Sequence, residues 1–400
     1  MNSIKYVAQK KLALSIMATA ILATPIAFAT ETKHGNGITH ALNDSKIDVN
    51  LRARYEGVDQ DGFDKNAEAL TLKSRITIST GSYHNFSLGL EVDDVHAFID
   101  DYNSQKNGNT QYPLVLDPQG TDINQAYLKY LNQGVSVTVG RQRILHNNQR
   151  FVGGVSWRQN EQTYDGVRAQ YQTDKLVIDY SYIHNINDIA ANDVQGDFHL
   201  ANAKYEFNKN QVISAFGYLL DYDIALTNSS NTIGALYQGN FNDLFVNASL
   251  ASQSEHGNNP NNYNALYVNA EVGYKLNAIV LLAGYELLGS DSGVAFNTPL
   301  ATKHKFNGWA DKFLGTPNEG LQDVYLTVKG KLSEINWSAT YHKFSSDQDN
   351  IDFGNELDLI ANYKINNNYS MLAKIAHYND GGSSKITDTN KLWLQLTAQF

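Results

Sequence analysis

The chain closes on KLWLQLTAQF, residues 391–400, and the fold turns on how that stretch is read. In extended backbone Leu392, Leu394, Leu396, Ala398 and Phe400 share one face, while Trp393, Gln395, Thr397 and Gln399 share the other. A C-terminal strand packed on an ordinary core could show this pattern. So would a strand whose apolar face meets lipid and whose aromatic end anchors at the membrane interface.

The same alternation recurs along the whole chain. In VNLRARY, Val49, Leu51, Ala53 and Tyr55 oppose Asn50, Arg52 and Arg54; in LTLKSRITI, Leu70, Leu72, Ile76 and Ile78 oppose Thr71, Lys73, Arg75 and Thr77. Counting every such segment predicts eighteen strands, near residues 47–58, 69–80, 85–94, 122–131, 135–143, 163–172, 175–184, 197–208, 211–221, 231–239, 244–254, 263–274, 279–288, 321–331, 335–344, 356–365, 369–378 and 391–400. Connections alternate as well: GSYH, NQG, TD, NKN, NFND, KLNA, SE and NNN are short, and those between them are longer. A soluble sandwich has no reason to gather its short turns at one end. An outer-membrane barrel does, with an even strand number and a last strand that pairs with the first. The expected fold class is therefore all-β, a single transmembrane antiparallel β-barrel of eighteen strands with short periplasmic turns and long extracellular loops.

Composition agrees. The chain has 24 Tyr and no Cys, and Tyr55, Tyr130, Tyr182, Tyr274, Tyr285, Tyr341, Tyr363 and Tyr378 sit at strand ends where an interface girdle belongs. Lys5, Lys10 and Lys11 precede the apolar run LALSIMATAILATPIAFA, which ends in Ala27, Phe28 and Ala29, the order of a cleaved secretory signal over residues 1–29. Removing its three lysines leaves 28 basic against 41 acidic residues, a net charge near -13. Residues 30–46 form a periplasmic lead-in, and residues 47–400 the barrel.

With the apolar face outward, the other face lines a lumen. Arg52, Arg54, Lys73, Arg75, Lys129 and Arg168 then point inward, gathered on the first six strands, with Arg52 and Arg54 beside Lys73 and Arg75 as a basic wall. Lys204, Lys329, Lys364 and Lys374 also point inward, as do Glu56, Glu91, Asp93, Asp179, Glu206, Glu271, Asp323 and Asp358, so lumen salt bridges are an alternative use for these charges. Arg141 and Arg143 share the parity of Val135, Val137 and Val139, and an arginine facing lipid costs about 2–4 kcal/mol at the midplane. Either a bulge at Gly140 turns them inward, the preferred reading, or they lie above the membrane.

Three long outer connections contain YNSQKNGNTQYPLVLDPQGTDINQAYL (102–128), GRQRILHNNQRFVGGVSWRQNEQTYDG (140–166) and PLATKHKFNGWADKFLGTPNEGLQDVYL (299–326). Such loops commonly fold inward as constrictions. These stretches resemble the corresponding parts of the alginate export family of outer-membrane porins, and the resemblance extends from about residue 47 to the C-terminus. It implies an eighteen-stranded barrel that passes an anionic polyuronate through an arginine-lined pore. By position it adds Arg141, Arg143, Arg150 and Arg158 to the candidate site, together with His304, Lys305 and Trp309.

Neither a nucleophile elbow nor an HExxH motif is present, and the acidic clusters EVDDVHAFIDD and SSDQDNIDFGNELD lack EF-hand order. No catalytic residue, metal ligand or cofactor is assigned, and no nucleic-acid partner is expected. The expected protein is a passive outer-membrane channel, not an enzyme, for anionic or sugar-like solutes such as alginate or its oligosaccharides. Its expected partners are outer-membrane lipid and lipopolysaccharide, the solute, and the barrel-assembly machinery acting on the strand that ends at Phe400. The alternatives are a general non-specific porin, or a barrel-borne enzyme or adhesin working through its outer loops.

Overall fold

Period-two alternation becomes sheet when each strand finds neighbours on both sides. The computed structural model describes residues 37–382 and 386–400, so the proposed signal segment 1–29 lies outside the described residues. The strands are β1 (Lys46–Gln60), β2 (Ala67–Ser79), β3 (Phe86–Asp101), β4 (Gly120–Asn132), β5 (Val135–Gln142), β6 (Thr163–Gln172), β7 (Leu176–Asn187), β8 (Asp193–Asn208), β9 (Gln211–Tyr222) and β10 (Ser230–Phe241). They continue with β11 (Leu244–Glu255), β12 (Asn264–Leu276), β13 (Ile279–Leu288), the loop hairpin β14 (Ser290–Asp291) and β15 (Val294–Ala295), β16 (Leu321–Leu332), β17 (Ile335–Ser345), β18 (Asp352–Lys364), β19 (Tyr369–Asn379) and β20 (Thr389–Gln399). Leaving out β14 and β15, they form one 18-stranded sheet.

β20 closes the barrel by pairing antiparallel with both β19 and β1. Phe400 completes the seam, donating its N–H to Val49 O at 2.9 Å and accepting from Val49 N at 3.0 Å. On β20 the outward Leu392, Leu394 and Leu396 are exposed, whereas Trp393 is fully buried. The alternation in the last ten residues thus separates a lipid face from a packed lumen face. Outward Leu, Ile and Val residues repeat this around the wall, with Tyr182, Tyr274, Tyr341 and Tyr363 exposed among them. Tyr378 is a correction to the expected girdle. It shares parity with buried Ala376, points inward, and donates its hydroxyl to Phe353 O.

Strand edges differ from expectation where charge interrupts the pattern. β3 runs to Asp101 rather than ending near 94, because its ladder with β2 continues past the acids, with Glu68 opposite Asp101. In the lead-in, a short helix, α1 (Ile38–Asn43), seats under the turn after β2, where Gly81 N donates to Ala41 O at 2.9 Å.

The lumen's outer half is filled by the connections 143–162 and 289–320. Ile144 and Val152 from the first, and Phe296, Leu300, Ala310 and Phe313 from the second, join wall residues such as Phe198, Phe216, Tyr267, Phe344 and Trp393 in one apolar core. Burying each large side chain contributes roughly 2 kcal/mol. A second, smaller packing of Val58, Ala67, Ala69, Tyr102 and Val115 seats the connection after β3 over β1–β3.

Candidate functional site

Between these two apolar packings runs a seam of charge on β1–β5. Arg52 and Lys73 stand directly opposite each other on β1 and β2, and two residues along Arg75 faces Asn50. Arg75 binds Asp93 at 2.5 Å and Glu161 at 2.8 Å, with Glu91 at 3.3 Å. Arg143 pairs with the same Glu91 and Glu161. Burial alone would raise the Glu161 pKa, but Arg143, Arg75 and Lys73 hold it below the usual carboxylate range. Charge-assisted forks of this kind fix side chains in place as well as setting the local potential.

Arg52 differs from its neighbours. Its guanidinium donates to Gln159 Oε1 at 2.8 Å and to the carbonyls of Ser156 and Arg158, so it holds the tip of the 143–162 connection without using a carboxylate. Lys73 makes no ion pair among the described residues. On β4, Lys129 points inward, half-buried, and is likewise without an ion pair among them. Arg168 on β6 pairs with Asp179, its Nε 3.0 Å from the carboxylate.

The expected inward turn of both β5 arginines needs correction. Gly140 has φ 115°, which only glycine adopts without strain, and a Cβ there would lie 2.4 Å from Ala126 O. The ladder nevertheless passes through it without a register slip, and Arg141 stays in phase with exposed Val139, opposite Ala126 on β4 and Asp165 on β6. Arg141 bridges the rim where the short β5 ends, bonding Asp165 at 2.8 Å and Ile123 O at 3.0 Å. Arg143 does reach the lumen. It lies beyond the last residue of β5, where the chain leaves the sheet and turns inside.

Arg54, Arg150, Arg158, His304 and Trp309 are brought together with the loops, but as fasteners. Arg54 is fully buried, donates to Gln395 Oε1 at 2.8 Å, and lies 4.2 Å over the Trp157 ring. Arg150 ties its own connection to two other elements: to β13 through Glu286 at 2.8 Å, and to the 289–320 connection through Thr298 and Asn307, each at 3.0 Å. Arg158 reaches Glu56 at 2.8 Å and Asp311 at 3.1 Å. Lys391 also meets Asp311, at 2.8 Å. Trp309 N donates to Asp358 at 3.2 Å, and the Lys374 ammonium sits 3.7 Å from the Trp309 ring centroid. Lys305 is exposed and bonds Asn148 O at 3.0 Å, joining the two connections.

His304 stacks on Trp157 with ring centroids 4.8 Å apart. Its Nδ1 lies 2.6 Å from Asp311 and its Nε2 2.7 Å from the Lys374 ammonium. Only the neutral ring, donating from Nδ1 and accepting at Nε2, satisfies both neighbours. Burial accordingly pushes its pKa well below the imidazole value. For Asp311, burial works against the charge and is outweighed by His304, Lys391 and Arg158, which hold it well below the usual carboxylate range.

Sequence reasoning missed the acids that organise these fasteners. Asp117, Glu161, Glu286 and Asp311 lie in or just before the three long connections. The signal available was that each of those connections carries both arginines or lysines and acids.

A closed barrel with an apolar outer face, an even strand number and inward-folded loops defines an outer-membrane porin. Solved structures share the fold. Acinetobacter baumannii OccAB4 is 12% identical with a TM-score of 0.68, covering 89% of this chain and 98% of that one. Pseudomonas aeruginosa OpdK, solved with vanillate, is 13% identical with a TM-score of 0.70, covering 90% and 99%. Acinetobacter baumannii OccAB2 is 15% identical with a TM-score of 0.69, covering 90% and 98%. No curated protein matches the chain. The family model for Alginate export matches residues 44–281, more than half of the sequence, and the chain belongs to that family. Of the three stretches that carried the resemblance, 102–128 and 140–166 lie within the matched residues and 299–326 lies beyond them.

Proposed function

We propose that the protein is a passive outer-membrane channel for anionic, sugar-like solutes, alginate oligosaccharides among them, and that the seam on β1–β5 is its selective strip. The observation that carries this reading is the opposed pair Arg52 and Lys73. Most arginines of the lumen are matched to carboxylates, whereas these two cations face each other with no ion pair among the described residues; Lys73 is buried and Arg52 is engaged by the 143–162 connection, so the pair acts on solute through its field and not by direct contact. Such a spot attracts an anion and focuses its local concentration. The wall towards the periplasmic turns is rich in neutral hydroxyl and amide groups, including Thr77, Thr138, Gln238, Asn247, Asn269, Thr327 and Thr340, which suit hydroxyl-bearing solutes. Nothing in this reading asks for a cofactor or a catalytic step, and a passive pore takes its direction from the solute gradient.

Single-channel recording of the refolded mature protein in a planar bilayer under a salt gradient tests it. Anion selectivity, transient block by oligoalginate, and a reversal potential moved towards cation selectivity by Arg52→Glu with Lys73→Glu are the expected results. A weakly selective pore indifferent to oligoalginate and to that double substitution would sink the proposal in favour of a general porin.

A further inference from the structure

Two aromatic rings lie flat on the lumen wall in its periplasmic half, and the sequence has cleared space for both. Phe245 on β11 stands opposite Gly273 on β12, and Tyr325 on β16 stands opposite Gly284 on β13. A Cβ at residue 273 would lie 1.8 Å from the Phe245 ring, and one at residue 284 would lie 2.1 Å from the Tyr325 ring. Each ring therefore occupies the volume its partner's side chain would need. Glycine inside a strand weakens it and commonly marks a close approach, and β12 and β13 are neighbours, so the two rings lean towards each other from either side.

Polar groups surround the pair. Glu271 on β12, directly opposite Gly284, accepts from the Tyr325 hydroxyl at 2.8 Å and from Asn247 Nδ2 at 2.9 Å. Lys329 follows Tyr325 on the same face of β16, its ammonium 5.9 Å from the Phe245 ring centroid and without an ion pair among the described residues. Among the described residues none of these groups makes a hydrogen bond or ion pair to the 143–162 or 289–320 connection, and only the Lys305 ammonium reaches into the field of Glu271, so holding the loops does not by itself explain the arrangement.

Flat aromatic rings flanked by an amide, a carboxylate and an ammonium without an ion pair among the described residues match a pyranose ring: the C–H face stacks on the rings, and the hydroxyls reach the amide and carboxylate. We propose that Phe245 and Tyr325 form a saccharide-stacking subsite in the periplasmic half of the lumen, with Asn247 and Glu271 taking hydroxyls and Lys329 the carboxylate of a uronic acid unit. The inference rests on the sugar-channel reading above and adds the place where a sugar unit is held. Lys329 lies over Phe245, which is 8% exposed beneath it. Swinging the ammonium to a carboxylate bares the ring, so recognising the charge and stacking the sugar are coupled.

The test compares block of single channels by an alginate trisaccharide and by its carboxyl-reduced, neutral counterpart. In the double variant Phe245→Leu with Tyr325→Leu, which keeps apolar volume, residence times of both saccharides should shorten by about fivefold or more. Phe245→Ala with Tyr325→Ala should do the same, and heat-modifiability on gels confirms that either barrel is folded. Lys329→Gln should shorten the uronate events and leave the neutral ones unchanged; Tyr325→Phe should keep most of the residence time. Unaltered block in both double variants would overturn the subsite while leaving the channel reading intact. A conducting wild-type pore that neither saccharide blocks would overturn both.

Discussion

The outer and periplasmic halves of this lumen use the same residue types for opposite ends. In the outer half, Arg150, Arg158 and Arg54 are buried and locked to Glu286, to Glu56 and Asp311, and to Gln395, and the two connections they hold share an apolar core. Towards the periplasm, Lys129, Lys204 and Lys329 are only partly buried, and the wall between them is hydroxyl and amide. A basic residue on the lumen face is therefore not by itself a contact for solute. Its role depends on whether it is already tied to an acid or to a folded-in connection, as Arg168 is to Asp179 and Arg52 to Gln159. Arg75 and Arg143 lie at the boundary, where Glu161 from the 143–162 connection meets wall residues Glu91 and Asp93.

If that division is right, breaking one outer-half fastener should have the largest effect on the molecule. Arg150→Ala leaves Glu286 buried beside Tyr267 and Asn307 with its cation gone, a loss of about 3–5 kcal/mol. Denaturant unfolding in detergent micelles should show a lower midpoint, and conductance should rise as the two connections unseat. Arg150→Lys should recover only part, because a compact ammonium does not span the separate positions from which the guanidinium's Nε, Nη1 and Nη2 reach Glu286, Thr298 and Asn307. An unmoved midpoint in Arg150→Ala would mean that apolar packing alone holds the loops, and the contrast between the halves would lose its electrostatic half.

Acid should reproduce a smaller version of the same failure. His304 is neutral in the folded protein with its pKa held down, so below about 6.5 the unseated ring takes up a proton that the seated one refuses, and seating weakens by up to about 1.4 kcal/mol per pH unit. Asp311, with its pKa also depressed, contributes stability that is present above about pH 4 and lost as pH falls further. Both terms have the same sign, and acidification loosens the 289–320 connection. Proteolysis of folded protein between pH 7.5 and 5 should show increasing cleavage in that segment, and His304→Gln should flatten the dependence. Constant protection across this window would show that the stack on Trp157, not the protonation state, fixes the loop.

What sequence could reveal follows from which physical signal is local. All eighteen strands were legible because a barrel repeats one rule, apolar out and polar in, and Leu392, Trp393 and Leu394 state it within three residues. Turn placement was legible for the same reason. Lumen-facing positions such as Arg52, Lys73, Arg75 and Arg168 followed from parity. Their electrostatic fate did not, since Asp117 and Glu161 approach from connections with no period to read, and Arg54 against Gln395 is a contact made only by closing the barrel. Arg141 and Arg143 show the limit most sharply. Parity placed both together, but Arg141 obeys the strand and Arg143 obeys the loop, and the end of β5 between them leaves no mark in composition. Phe245 and Tyr325 escaped notice because a glycine opposite each on the paired strand, distant in sequence and part of no motif, is what flattens each ring.

The weakest perturbation tests the other side of the comparison. Lys204 and Glu206 lie in the periplasmic half of β8, 3.0 Å apart with side chains 36% and 42% exposed. A pair this open is screened by salt and contributes on the order of 0–1 kcal/mol. Lys204→Gln should therefore leave the unfolding midpoint within about 0.5 kcal/mol of the parent. Removing a lumen cation should still reduce anion selectivity slightly at low ionic strength, with the difference vanishing at high salt as the Debye length falls to about 3 Å. Selectivity that survives Lys204→Gln at low salt would confine the selective strip to β1–β5. A drop comparable to that of Arg52→Glu with Lys73→Glu would spread it around the whole periplasmic half, and the seam would then be the place where the loops are tied instead of the place where solute is chosen.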